Sequence, residues 1–354
     1  MKLHDLVSHV IGVDTHKDTH SAAVVVAVSG GAECCEAIQA DRSGYEAVLE
    51  LADRYALATD RAWAIEGTGS YGAGLTAFLE QHGEWVIEID RPIRAAKRNG
   101  AKSDPLDAVR AAREALGRDS WATPRARGTR EAMRVLNATR EGAVRDRTKA
   151  INALKALIVS APEELRERIR HDDGNPLVDR CATLRDCPTQ GEDYRCTIKA
   201  LRRNAQRIRH LESEIAEHDK DLDQLTQQHC PQLRAEYGVG PIVATWIYLA
   251  WSHAGRCRSE AAFANLAGTA PIEASSGQVT RHRLNRGGDR QLNRALHTVI
   301  LTRARGNAHE PTCAYIERRL TNDHKTEREI RRCLKRYLAR HFFRLLEHPP
   351  QSDP

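Results

Sequence analysis

The sequence predicts an N-terminal α/β domain built on a mixed sheet, followed by mainly α-helical coiled-coil and C-terminal domains. Two patterns support this prediction. Strands alternate with amphipathic helices up to about residue 116, whereas long helical repeats of apolar residues fill the chain beyond residue 130. We predict three domains, which span residues 1–125, 126–235 and 236–348.

The α/β part begins with a valine-rich meander. Strands are predicted over residues 10–28, with a turn at 16–19, and over 34–39, 63–66 and 85–89. Helices are predicted over 43–55, 73–82 and 104–116, the last with Pro105 at its first position. A meander followed by strand–helix alternation combines antiparallel and parallel neighbours, so we expect a mixed sheet.

The rest of the chain is predicted to be helical. Helices are expected over residues 130–170, 195–228, 241–251, 259–267, 291–305 and 328–346, with a polar, irregular stretch at 171–193. Apolar residues in 195–228 recur at steps of three and four, which is typical of a coiled-coil seam. This seam could pair with residues 130–170 or with a second subunit, and the sequence leaves both open.

Charge is unevenly distributed along the chain. The net charge of +6 combines −10 over residues 1–90, +9 over 91–150 and +7 over the remainder. This segregation is typical of a polyanion binder with a carboxylate-rich module, although solvated helix faces would explain any single basic stretch. Aromatic residues make up only 5% of the chain, so arginine contacts to phosphates are favoured over base stacking.

Other compositional features indicate the compartment. The apolar runs are too short to cross a bilayer, and the chain does not begin with a cleavable signal pattern. The nine cysteines include no C-x2-C pair of the kind that holds structural zinc. We therefore expect a cytoplasmic protein with free thiols and no membrane contact.

Four carboxylates stand in positions that could bring them together. These are Asp14, Glu66, Asp104 and Asp107. Carboxylates at strand ends and on one helix face can hold divalent cations against a phosphate, which indicates phosphodiester chemistry. The pair at 104 and 107 also fits an ordinary helix cap. Asp14 is harder to explain this way, because a carboxylate inside an apolar strand needs a cation or hydrogen-bond donors.

Residues 67–72 read Gly-Thr-Gly-Ser-Tyr-Gly, which is a literal G-x-G-x-x-G between a strand and a helix. This context is also that of a dinucleotide-binding turn, with Glu88 and Asp90 as candidate ribose partners. The alternative is weakened because a meander precedes this strand. It also leaves Asp14 and the downstream arginines unexplained.

A serine pair lies in a basic loop. Ser275 and Ser276 precede Gly277, and the arginines that follow are Arg281, Arg283, Arg286, Arg290 and Arg294. A hydroxyl among guanidinium groups suits nucleophilic attack on phosphate, since the cations stabilise the charge that grows on the phosphorus. A Ser-Gly turn in a basic surface loop is the plain alternative.

In this order, the motifs resemble the DEDD transposases of one insertion-sequence family, which are related to the Piv-type DNA invertases. The matching stretches are Ile-Gly-Val-Asp-Thr-His-Lys at 11–17, Ile-Glu-Gly-Thr-Gly at 65–69, Lys-Ser-Asp-Pro-Leu-Asp-Ala at 102–108, and the blocks at 238–241, 270–277 and 286–289. The resemblance covers nearly the whole chain. Residues 161–193 match no motif that we can assign.

The resemblance implies a RuvC-like, ribonuclease-H-like N-terminal domain and a C-terminal transposase domain. By this resemblance Asp14, Glu66, Asp104 and Asp107 would bind Mg²⁺. Ser276, rather than Ser275, would attack DNA and form a covalent phosphoserine link. Arg281, Arg283, Arg286, Arg290 and Arg294 would contact nucleic acid.

The same resemblance implies a site-specific recombinase that acts on the ends of its element and on a target DNA. Several members use a structured guide RNA encoded by their own element, and the sequence does not decide whether this chain does. A homo-oligomer, either a dimer or a tetramer, is expected because strand exchange needs several active sites. A metal-only nuclease or junction resolvase, in which Ser276 is only a turn residue, remains the alternative.

Overall fold

The computed structural model describes residues 1–89, 104–169, 171–186, 188–275, 277 and 282–348. The chain divides into two compact units, Met1–Ala126 and Arg127–Pro354. The first is a mixed α/β unit and the second is almost entirely helical, as the sequence predicts. None of the helices in the described part of the chain is long and apolar enough to cross a membrane.

In the first unit, residues 1–89 and 104–126 form five strands and three α-helices. The strands are β1 (His9–Thr15), β2 (Thr19–Val26), β3 (Ala32–Gln39), β4 (Arg61–Glu66) and β5 (Val86–Ile89). The helices are α1 (Arg42–Asp53), α2 (Ala73–Gln81) and α3 (Asp104–Gly117). Short 3-10 turns at Leu3–Asp5 and Ala58–Asp60 complete the unit.

The strands form one sheet in the order β3-β2-β1-β4-β5. The first three strands are an antiparallel meander, and β4 and β5 continue the sheet in parallel with β1. The predicted mixed sheet is thereby confirmed, and the arrangement is consistent with a RuvC-like fold. Parallel β1 and β4 matter most for function, because their carboxyl ends meet at one edge.

Each face of the sheet is covered by helices. Strand residues Ile11, Val13, Trp63 and Ile65 form a core with α1 and α2. Residues of the opposite parity, including Val10, Ala62 and Ala64, form a second core with α3. Because successive side chains of a strand point to opposite faces, parity tells which helix each strand residue meets.

The second unit contains ten α-helices and one small hairpin within the described residues. The helices are α4 (Thr129–Val159), α5 (Glu163–Ile169), α6 (Gly174–Thr183), α7 (Glu192–His229), α8 (Pro231–Arg234), α9 (Pro241–Trp251), α10 (Glu260–Leu266), α11 (Arg290–Ala304), α12 (Glu310–Thr321) and α13 (Glu327–Glu347). The hairpin consists of β6 (Ile272–Glu273) and β7 (His282–Arg283), and a 3-10 turn spans Arg305–Asn307.

Several predicted helix boundaries are wrong. The helix predicted over 130–170 ends at Val159, and a new helix starts after Pro162, since proline fits the first turn of a helix but not its interior. The stretch predicted to be irregular contains α6, whose Leu177, Val178 and Cys181 are buried. Helix α12 is absent from the sequence prediction, because only Thr312 is buried on it.

The predicted seam pairs within the chain. Helices α4 and α7 pack along each other, and ion pairs join Arg140 to Asp219 and Arg147 to Glu212, the latter at 2.5 Å. Because the partner number falls as the α4 number rises, the two helices are antiparallel. On α4, Ala143 is buried whereas Val144 is exposed.

Candidate active site

Asp14 and Glu66 lie side by side near the carboxyl ends of the neighbouring parallel strands β1 and β4. Val13 of β1 pairs with Ile65 of β4, so the two carboxylate residues that follow them are also aligned. Both have the parity of the α3-facing residues, which directs their side chains to the face that α3 covers. Asp14 is largely buried, with its side chain 15% exposed, and Glu66 is half-buried.

A glycine lets α3 reach this point. A Cβ atom on Gly12 would lie 2.0 Å from the carbonyl oxygen of Ala108 and 2.8 Å from the backbone nitrogen of Ala112. Helix α3 therefore crosses β1 in direct backbone contact, which only glycine permits. Because of this contact, the first turn of α3, which contains Asp104 and Asp107, lies over the end of β1. Asp14 lies at that end, two residues after Gly12.

Three of the ligand-type side chains lie within reach of one ion. The Nε2 atom of His16 is 3.2 Å from Oδ2 of Asp14 and 3.7 Å from Oδ1 of Asp104. One ligand atom from each of these residues lies within 4.8 Å of the others. Asp107, one turn further along α3, forms an ion pair with Arg110 at 2.5 Å.

Electrostatics at Asp14 favour a cation. Burial raises the pKa of the Asp14 carboxyl; among its neighbours, His16 lowers it while Asp107 and Asp104 raise it further, and the net pKa lies above the ordinary value of 3.8. The ionised form is disfavoured because it lacks water and faces like charges. A divalent cation would remove both penalties, so these residues fit the metal site that the resemblance implies.

The turn after Glu66 is held close to β1. The Thr15 hydroxyl donates a hydrogen bond to the carbonyl oxygen of Glu66 at 2.8 Å. The carbonyl oxygen of Gly67 accepts from the backbone nitrogens of Ser70 and Gly72 at 2.8 and 3.1 Å, which closes the turn before α2. The glycine-rich turn thus fixes the end of β4 next to the end of β1.

His16 is the residue of this cluster that the sequence analysis places only in a turn. Its spacing two residues after Asp14, just beyond the end of the strand, is the signal that could have identified it. A strand end followed by Asp-x-His brings a nitrogen and an oxygen ligand to the same edge.

The predicted serine lies in the connection of the hairpin in the second unit. Ile272 of β6 pairs with Arg283 of β7, and the connection between these strands includes Ser275 and Ser276. Ser275 is exposed. Ser276 and Arg281 lie outside the described residues.

The arginines after the hairpin are positioned by close backbone packing. A Cβ atom on Gly288 would lie 2.6 Å from the carbonyl oxygen of Leu266 and 2.8 Å from the nitrogen of Gly268. The backbone nitrogen of Asp289 donates to the same Leu266 oxygen at 2.7 Å, and the Asp289 side chain caps α11 by accepting from Leu292. This contact fixes the start of α11 against the end of α10.

Four predicted phosphate contacts are solvent-exposed: Arg283, Arg286, Arg290 and Arg294. Within the described residues none of them forms an ion pair with a carboxylate, whereas Asp289 uses its carboxylate on the helix cap. The Arg294 guanidinium lies over the Trp246 ring, 5.4 Å from its centroid. Exposed arginines without acidic partners are available for an anionic ligand.

Comparison with known families identifies the chain. The model of the DEDD transposases of IS110 type matches residues 11–161, which include the four carboxylates and the turn at 67–72. The model of the transposase IS116/IS110/IS902 family matches residues 230–314, which include the hairpin and the arginines. No curated protein matches the chain significantly. The chain belongs to the IS110-type DEDD transposases, and it is a DNA transposase.

Proposed function

We propose that this transposase cuts and rejoins DNA through a covalent link to Ser276, with Asp14, Glu66, Asp104 and Asp107 holding Mg²⁺ at a phosphate. The observation that carries the metal part is the arrangement around Asp14. Two aligned strand ends and the first turn of α3 supply carboxylates to the same face of the sheet. Such convergence is the arrangement that an ion bridging protein and phosphate requires.

The carboxylates would bind the cation and fix its place. Asp14 is the anchor, because its side chain is only 15% exposed, compared with 29% for Asp107 and 56% for Asp104. When bound, a divalent cation supplies positive charge that stabilises the phosphate and lowers the pKa of an attacking hydroxyl. Mg²⁺ suits a site of oxygen ligands that keeps open positions for water and phosphate.

The serine would carry out the covalent step. Oγ of Ser276 attacks phosphorus, the bond from phosphorus to a deoxyribose oxygen breaks, and the leaving oxygen takes up a proton as the hydroxyl loses one. The reverse attack by a deoxyribose hydroxyl on the phosphoserine releases Ser276 and joins the new strand. No net energy input is needed, because each step exchanges one phosphodiester for another.

The arginines would hold the DNA backbone during this exchange. Arg283, Arg286 and Arg290 are exposed around the hairpin and the start of α11, and they lack carboxylate partners within the described residues. Guanidinium groups bind phosphate oxygens in a bidentate way and stabilise charge at the phosphorus. These contacts position a backbone and carry little base specificity.

Target choice would then come from elsewhere, and we include a structured guide RNA from the element itself in the proposal. Assembly as a dimer or tetramer would bring several serines to the exchanging strands. Recombination on a plasmid that carries the reading frame with its flanking DNA tests the RNA: its loss on deleting a structured flanking transcript, with protein levels unchanged, is expected.

The covalent step is tested by trapping. The wild-type protein is incubated with this plasmid, stopped with detergent and examined for DNA bound to protein. We expect an adduct that disappears in Ser276→Ala and persists in Ser275→Ala, which is the matched control next to it. Asp14→Asn should reduce adduct formation by at least about tenfold, since even outer-shell partners of a metal contribute about 10- to 100-fold.

A metal-only nuclease gives a different result. Cutting that continues in Ser276→Ala without any adduct, but stops in Asp14→Asn, would replace the recombinase proposal with hydrolysis. An adduct that persists in Ser276→Ala and vanishes in Ser275→Ala would move the nucleophile by one residue.

A further inference from the structure

The side chain of His16 lies between two carboxylates of the proposed metal site. Its Nε2 atom is 3.2 Å from Asp14 and 3.7 Å from Asp104. Two ligands in neighbouring positions around an octahedral cation lie about 3.0 Å apart when the bonds are about 2.1 Å long. The two distances from the His16 nitrogen are close to this value, and the ligand atoms of Asp14 and Asp104 lie within 4.8 Å of each other.

The backbone of His16 is fixed while its ring is accessible. Its backbone nitrogen donates to the carbonyl oxygen of Thr19 at 3.2 Å and lies 3.4 Å from Nδ1 of His20. His20 is buried, with 1% exposure, and its ring stacks on Tyr45 with an interplanar angle of 2°. The turn is thus anchored to the core, and the His16 side chain, 49% exposed, can meet an ion from solvent.

We propose that His16 is a nitrogen ligand of the divalent cation and that it makes the site favour first-row transition cations such as Mn²⁺ over Mg²⁺. Imidazole nitrogen binds transition cations well, whereas Mg²⁺ strongly prefers oxygen. This inference rests on the proposed metal site, and it adds a ligand outside the four carboxylates. It predicts a site of mixed nitrogen and oxygen ligands.

His4 provides a matched control in the same unit. Its Nε2 atom lies 3.6 Å from Oδ1 of Asp5, and its side chain is 43% exposed, so it closely resembles His16 in exposure and in having one carboxylate neighbour. The difference is the second carboxylate: His16 lies with both Asp14 and Asp104 in one cluster of possible metal ligands, whereas His4 belongs to no such cluster among the described residues.

The test measures Mn²⁺ directly in the full chain. Free Mn²⁺ is titrated by electron paramagnetic resonance, and nitrogen bound to Mn²⁺ is detected by electron spin echo modulation at saturating Mn²⁺. We expect nitrogen modulation in the wild type and its loss in His16→Gln, with Mn²⁺ affinity reduced about tenfold or more. Mg²⁺ affinity, measured by competition, should change less. His4→Gln should match the wild type in both measurements.

Three results would overturn the inference. They are wild-type Mn²⁺ binding without nitrogen modulation, nitrogen modulation that persists in His16→Gln, and tighter Mn²⁺ binding in His16→Gln. The last would mean that His16 only competes with the cation for the carboxylates. Asp14→Asn separates the two proposals: if it leaves Mn²⁺ affinity unchanged, the metal site itself is wrong, whereas a loss there with no effect at His16 leaves the carboxylate site standing.

Discussion

At the scale of single residues, the first unit buries charge in two different ways. Arg61 is 1% exposed and Glu84 is 2% exposed, and they form a bidentate pair at 2.6 and 2.9 Å. The Trp63 indole donates to the same carboxylate at 2.6 Å, so every oxygen has a donor. Asp14 instead carries a raised pKa and like-charged neighbours. The charges of Arg61 and Glu84 are compensated within the protein, whereas a bound cation would stabilise the ionised form of Asp14.

The Arg61–Glu84 pair is expected to support the fold. Glu84→Gln should lower the free energy of unfolding of the first unit by about 3 kcal/mol or more, because a buried guanidinium loses its charged partner. Hydrogen exchange of peptides from β4 in increasing urea would measure this change in the full chain.

Asp53→Asn is the control for that substitution. Asp53 also contacts Arg61, at 2.7 Å, but its side chain is 61% exposed, so its loss should change stability by no more than about 1 kcal/mol. Equal effects of the two substitutions would contradict the assignment of Glu84 as the buried partner.

This buried pair could not be predicted from the sequence, whereas Asp14 could be predicted as a metal ligand. Asp14 interrupts an apolar strand, and such an interruption is visible locally. Arg61 begins β4 and Glu84 lies in the connection before β5, 23 positions later, so only folding brings them together.

At the scale of secondary-structure elements, the placement of α3 on β1 decides the geometry of the site. The helix lies against Gly12 with no room for a side chain. Ala108 and Ala112 are fully buried, so the helix also presents small residues to the strand. Small residues on both sides allow this close approach, and the approach sets where Asp104 and Asp107 stand.

Gly12→Ala is therefore expected to separate α3 from β1. The added methyl group should destabilise the first unit by about 1–3 kcal/mol, which is the usual cost of overpacking. It should also weaken Mn²⁺ binding, because Asp104 moves with the helix. Hydrogen exchange of α3 peptides and the paramagnetic titration would measure the two effects.

Gly69→Ala is the matched control, since a Cβ atom there would meet nothing within 4 Å. It should leave both stability and Mn²⁺ affinity close to the wild type. An unchanged Mn²⁺ affinity in a clearly destabilised Gly12→Ala protein would argue against the role of the helix contact in the site.

Strands and helices were predicted correctly where the spacing of apolar residues repeats over most of the element. The meander, the parallel strands and α7 have repeated apolar spacing, and the structure confirms them. Helix α6 escaped prediction because only Leu177, Val178 and Cys181 are buried among polar residues. On α12 only Thr312 is buried, so its own apolar spacing does not predict a helix. Packing against the rest of the unit stabilises such a helix more than its own sequence does.

At the scale of the whole molecule, charge follows the division into units. The carboxylate cluster belongs to the first unit, and the exposed arginines of the hairpin and α11 belong to the second. A DNA-binding surface of this kind should bind through phosphates and should be strongly sensitive to salt.

Removing two of these arginines should change the salt dependence in a defined way. For Arg283→Gln combined with Arg286→Gln, the slope of log affinity against log salt concentration should fall by about 2 in magnitude, because each phosphate contact contributes about 0.9. Fluorescence anisotropy with duplex DNA over about 50 to 200 mM salt measures it.

Arg42→Gln serves as the control, because Arg42 is also exposed but lies in the acidic first unit and pairs with Glu46. Its slope should equal that of the wild type. If the double variant also keeps the wild-type slope, these arginines do not contact phosphates in the complex.

The order of strands and helices in the first unit, the chemistry of the site residues and the family could all be predicted from the sequence, because strand and helix periods and short motifs are local properties. The sequence also named the carboxylates as a set. Three features emerge only in the folded protein: α4 and α7 pair within the chain, α3 contacts β1 through Gly12, and His16 lies between Asp14 and Asp104. Those outcomes depend on distances between residues far apart in the chain, and packing rather than local sequence sets such distances.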